Sequence, residues 1–182
     1  MRNRGIYLAV AIWLGAVGVA AGQLKHPSLL RNHPAIKYAE EANDPVAQLN
    51  GKLESGELTL KADGPAGYLK SVLDALKVPV ESQVLVFSKT SFQAPRIAPS
   101  NPRAIYFNDT VSVGWVRGGE VLEFIGQDPK QGAVFYTVSL STVGKRAFER
   151  NDACVTCHAS EATHYVPGMF VGSVFPGPDG TT

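Results

Sequence analysis

The residues best placed to do chemistry lie in one five-residue stretch, Cys154-Val155-Thr156-Cys157-His158. The chain has only two cysteines, three positions apart, so no long-range disulfide joins distant segments. Two thiols on one local segment, followed at once by an imidazole, suit covalent attachment of a haem. The two sulfurs reach the two vinyl groups on one edge of the macrocycle, and the adjacent histidine meets the iron. Three other readings compete. A zinc site needs four ligands, usually drawn from two such pairs, and there is no second C-x-x-C. A thioredoxin-like dithiol sits at a strand-to-helix junction in a βαβ context, whereas residues 146–153 read as polar and helical. The third is a pair of structurally inert cysteines.

The motif resembles that of the c-type cytochromes. The resemblance implies one covalent haem c, thioethers at Cys154 and Cys157, and His158 as the proximal iron ligand. Met169 is then a candidate distal ligand, 11 residues after His158, and its sulfur would raise the potential; as an alternative, it packs in the core. His164 lies six residues on and reads as surface. His26 and His33 come from a distant proline-punctuated segment, and each is followed by proline, which biases it toward extended backbone. The chain departs from small soluble cytochromes c, which are nearly all helical with an early motif. Here the motif is late, 24 residues follow His158, and a β-rich region precedes it. The wider pattern, with SKTSFQ, PRAIYFND, VGWVRGG and QGAVFYT, is similar to exported bacterial cytochrome-like proteins of unassigned function, which speaks to architecture and not to substrate.

The elements that must position the motif follow from periodicity. Asp44 and Pro45 open a helix whose apolar stripe is Val46, Leu49 and Leu53, closed at Gly56. A second helix covers about Tyr68 to Lys77, with Leu69, Val72, Leu73 and Leu76 on its buried face and Pro79 beyond it. Short apolar runs follow at Val84–Phe87, Ala104–Phe107, Val111–Val116, Glu120–Ile125 and Ala133–Leu140. They are separated by a proline-rich loop (91–102), Asn108-Asp109, Gly118-Gly119 and a turn at 128–132, which predicts an antiparallel meander. A third helix is expected from Lys145 or Arg146 to about Ser160, with the motif in its C-terminal half. After a turn at Val166-Pro167-Gly168, Met169 to Phe175 reads as a final strand. Trp115, Tyr106, Phe107, Phe124, Phe135 and Tyr136 read as core aromatics that can also face a haem.

Arg2 and Arg4 precede a run from Ile6 to Ala21 that is almost wholly apolar or small, and Val19-Ala20-Ala21 suits a signal peptidase. Residues 1–22 therefore read as a signal peptide, with an uncleaved anchor as the alternative; 16 residues fall short of the about 20 needed to span a bilayer. Either way the remainder is exported, the compartment in which bacterial thioether attachment takes place. Loss of the two arginines turns a formal net charge of +1 into −1. No lysine-rich run or basic stripe is present, so nucleic acid is not an expected partner. With 18 Gly and 12 Pro the chain is rich in turns, which favours mixed or β structure.

The reading is an α+β fold: residues 23–42 a linker, residues 43–182 a single haem-binding domain with an antiparallel meander and flanking helices. The last seven residues form a turn without its return strand, as in a product truncated at its C-terminus. The function expected is single-electron transfer by an exported mono-haem cytochrome with a redox partner protein, touching the membrane only through an uncleaved N-terminus. A haem enzyme or gas sensor with an open distal site, and a haem-bearing module of a larger redox complex, are the rivals. No Ser-His-Asp order, phosphate loop or glycosidase-like carboxylate pair competes.

Overall fold

A computed structural model describes residues 33–140 and 148–182. The expected signal segment, His26, and residues 145–147 of the expected third helix lie outside the described residues.

Helix α1 (Pro45–Ser55) begins where the sequence predicts. The Asp44 carboxylate accepts from the N–H groups of Val46 (2.8 Å) and Ala47 (3.3 Å), and Gly56 ends the helix in the left-handed region. Asp44 is fully buried and also accepts from the Tyr136 hydroxyl, so the cap is tied to the sheet beneath it. Helix α2 (Leu69–Leu76) buries Leu69, Val72, Leu73 and Leu76, as its spacing requires. The Asn108 amide donates to the carbonyls of Leu76 and Lys77 at its C-terminal end. Each such aliphatic side chain contributes roughly 1.5–3 kcal/mol on full burial.

The six strands are β1 (Val84–Val86), β2 (Arg103–Phe107), β3 (Val111–Val116), β4 (Val121–Asp128), β5 (Gly132–Ser139) and β6 (Glu149–Arg150). They pair antiparallel in chain order, so the expected meander is present. Tyr106, Val113, Phe124 and Tyr136 form one row across four strands, and Tyr136 meets Asp44, so this face lies under the helices. The neighbouring row, Phe107, Ser112, Ile125 and Phe135, faces the opposite way, because adjacent residues alternate across a sheet.

Three expectations need correction. The long third helix is absent: Glu149 and Arg150 are a sixth strand paired with Thr137 and Tyr136, and the helical segments among the described residues here are a 3-10 turn (Asp152–Cys154) and α3 (Val155–His158). Pairing with the free edge of β5 satisfies backbone groups that a helix would have satisfied internally. Met169–Phe175 forms no strand and lies outside the ladder. Within the expected linker, Tyr38 is buried, its hydroxyl donates to the Ala133 carbonyl (3.1 Å), and the Arg150 guanidinium sits 4.2 Å from its ring centre. The domain therefore starts before Asn43.

Candidate functional site

The motif hangs from the end of β6. Asn151 donates its backbone N–H to the Phe135 carbonyl (2.8 Å), and its side chain accepts from the Ala153 N–H (3.2 Å). That cap starts the turn that runs through Cys154 into α3. Val155 and Ala159 are buried and anchor the turn against the core. Cys154, Cys157 and His158 stand at i, i+3 and i+4, one side of a helical turn. The structure thus gathers the three predicted residues on a single turn, held on the sheet face away from α1 and α2.

The two thiols differ. Cys157 is exposed and Cys154 is half-buried. Burial pushes the Cys154 thiol above its ordinary value, and the Glu123 carboxylate adds to this while Arg103 opposes it. Half-buried Arg103 and buried Glu123 form an ion pair at 2.7 Å on this same face. The Gln93 amide donates to Glu123 (3.4 Å), and Gly114, which bears no side chain, leaves the space that the guanidinium fills.

The His158 ring lies against Phe135, with ring centres 4.7 Å apart. Its Nδ1 is 3.0 Å from the Gly168 carbonyl oxygen, which can only accept. In the neutral imidazole the proton is therefore on Nδ1, and Nε2 carries the lone pair. Backbone carbonyls commonly orient metal-bound histidines in this way. The contact is reciprocated, since the Gly168 N–H donates to the His158 carbonyl (3.0 Å). Pro167 in turn accepts from the Ala133 N–H (3.0 Å), which fastens the loop to β5. His164 and Tyr165, both at positive φ (52° and 59°), turn the chain back to make this closure.

The remaining candidates are scattered. Met169 is half-exposed, and its sulfur accepts from the Ser112 hydroxyl on β3 at 3.6 Å. His164 is exposed on the loop. His33 is exposed, and its Nδ1 accepts from the Ala35 N–H (3.3 Å). Among the core aromatics, Phe135 touches the motif, whereas Tyr106, Phe124 and Tyr136 belong to the helix-covered face. From Met169 the chain continues to the loop after β1, where the Lys89 N–H donates to the Gly180 carbonyl (2.8 Å). Along this path Val171 and Phe175 are almost wholly exposed.

Sequence reasoning missed Gly168, Arg103, Glu123 and Gln93. Gly168 acts through its backbone, which leaves no mark in residue type. Arg103 and Glu123 carry no inward signal until the register sets them on either side of β3, with Gly114 between them. Among the described residues, no three His, Cys, Asp or Glu side chains converge on one point, and no helix is long and apolar enough to cross a membrane. An open groove lined by Glu40, Glu41, Asn50, Glu54, Tyr136 and Arg150 lies beside α1, away from the motif. Comparisons with protein-family models, curated proteins and solved structures found no match.

Proposed function

We propose that this protein is an exported mono-haem c-type cytochrome that passes single electrons to or from a redox partner protein. The observation that carries the reading is the state of His158: its Nδ1 is spent on the Gly168 carbonyl, so Nε2 is left to bind a metal, on the same turn as both thiols. A protein-only metal site needs three or four converging donors, whereas a covalently held haem asks the chain for two thiols and one axial nitrogen.

The residues present fit that group. The Cys154 and Cys157 S–H bonds would add across two vinyl groups, giving thioethers with no net redox change. His158 would hold the iron through Nε2, and Gly168 fixes the ring orientation through Nδ1. Bound haem supplies a reversible one-electron couple, and the chain tunes its potential through axial ligation and burial. Phe135 packs against one side of the imidazole. The near-neutral exported chain and the exposed apolar residues beyond Met169 suit a partner that docks through apolar surface.

Expression with its own signal and a competent haem-maturation system tests this directly. Haem that resists acid-acetone extraction and gives a c-type pyridine spectrum is the expected result, lost in the Cys154→Ser, Cys157→Ser double variant. Complete extraction, or no haem at all, would overturn the reading and return the weight to a dithiol or a metal at the same residues.

A further inference from the structure

We propose that iron held on His158 is not ligated by Met169, and that no side chain among the described residues closes its sixth position to a small ligand of the carbon monoxide and cyanide class. The inference rests on the haem reading above and concerns what the C-terminal loop does to the same site.

Two observations carry it. The first is direction. Nδ1 and Nε2 point to opposite ends of the imidazole, so a metal on Nε2 and the Gly168 carbonyl lie on opposite sides of the ring. Gly168 is pinned there by three contacts: its carbonyl to Nδ1, its N–H to the His158 carbonyl, and the preceding Pro167 carbonyl to Ala133. Met169 is the next residue, its Cα only about 3.8 Å further on. Its side chain therefore starts behind the proximal histidine. To reach the far side of the iron it would have to round the edge of the macrocycle.

The second is spacing. His158 rests on Phe135, and the Met169 sulfur rests on Ser112. Phe135, Ile125 and Ser112 are successive members of one cross-strand row. Two strand spacings separate the ends of that row, roughly 10 Å. His158 thus rests over β5 and the Met169 sulfur over β3, on opposite sides of β4. The Ser112 hydroxyl holds the sulfur over β3 through one of its two lone pairs. His164 sits within the loop that closes on the Nδ1 side, and the His33 Nδ1 is engaged with the backbone of Ala35. The loop that looks able to supply a distal ligand instead braces His158 from behind, on its Nδ1 side.

The test uses the full chain carrying covalent haem, with carbon monoxide added to the ferrous form and cyanide to the ferric form. The expected result is a shift of the Soret band with each ligand, at the same ligand concentrations in wild type and Met169→Leu, and identical unliganded spectra of the two proteins. Met169 is half-exposed, so the leucine variant should fold. Failure of carbon monoxide to shift the ferrous spectrum, in the wild type and in His26→Ala alike, would overturn the proposal. So would a near-infrared sulfur-to-iron band in wild type that Met169→Leu removes. Absence of covalent haem is a separate result, which defeats the cytochrome reading itself.

Discussion

Replacing Gly132 with alanine tests how the loop behind His158 is fastened. Gly132 opens β5 at φ +77°, and a Cβ built there would stand 2.6 Å from the Pro167 carbonyl oxygen, a backbone atom that cannot swing aside. Gly118 is the natural control. It sits at φ +73° in the β3–β4 turn, with nothing within 4 Å of its would-be Cβ. Left-handed backbone costs an L-residue roughly 1–2 kcal/mol, partly offset by the about 0.4–1 kcal/mol that alanine removes from unfolded-chain entropy. Gly118→Ala should therefore cost about 1 kcal/mol. Gly132→Ala carries the same strain and must also displace Pro167, leaving the N–H of fully buried Ala133 without its acceptor. An unsatisfied buried donor costs about 1–3 kcal/mol, which brings the total to about 2–4 kcal/mol. Urea denaturation reads both, as a shift in midpoint at unchanged slope. Nitrogen NMR of His158 should show the Nδ1–H tautomer in wild type and Gly118→Ala, and its loss in Gly132→Ala. Equal stability losses in the two variants, or an unchanged His158 in Gly132→Ala, would refute the reasoning.

Arg103→Met should destabilise by about 3–5 kcal/mol, because it strands the buried Glu123 carboxylate, whereas Arg103→Met with Glu123→Leu should recover most of the loss; urea denaturation of the three proteins decides this. Burial, and then the hydrogen bond to Asp44, raise the Tyr136 phenol far above its ordinary value. The folded state thus holds this proton more tightly than the unfolded one, and the stabilisation is complete below about pH 10 and lost as pH rises beyond it. Ultraviolet titration of wild type and Tyr136→Phe should show one tyrosine ionising only as the protein unfolds. In the haem-free protein, a maleimide pulse near pH 7 should label Cys157 well before Cys154, because Cys154 is half-buried and its thiol is raised. Mass spectrometry of the peptides would show equal labelling if that protection were absent, and urea should abolish the difference.

The helices and the meander were legible because their signals are local. Asp44-Pro45 and Gly56 mark the ends of α1, and the Leu69–Leu76 spacing marks the buried face of α2. Residues 148–154 read as part of a helix starting at Lys145 or Arg146, but they form a short strand and a 3-10 turn. Their polar composition suits either state, and the pairing of Glu149 and Arg150 with Thr137 and Tyr136 depends on β5 having a free edge. Met169–Phe175 reads as a strand by composition, yet it pairs with neither edge strand of the sheet, β1 or β6.

For the site, the identities of Cys154, Cys157 and His158 and their one-turn spacing follow from the sequence alone, because the chemistry they suit is a matter of adjacent residues. What the sequence leaves open is which end of the His158 ring is held by the backbone, and on which side of it Met169 stands. Those depend on a carbonyl ten residues away, on Ala133 holding Pro167, and on Ser112 holding a sulfur from across the sheet. Hydrogen-bond direction at a ring nitrogen is set by the folded neighbours, so only the tertiary structure decides it.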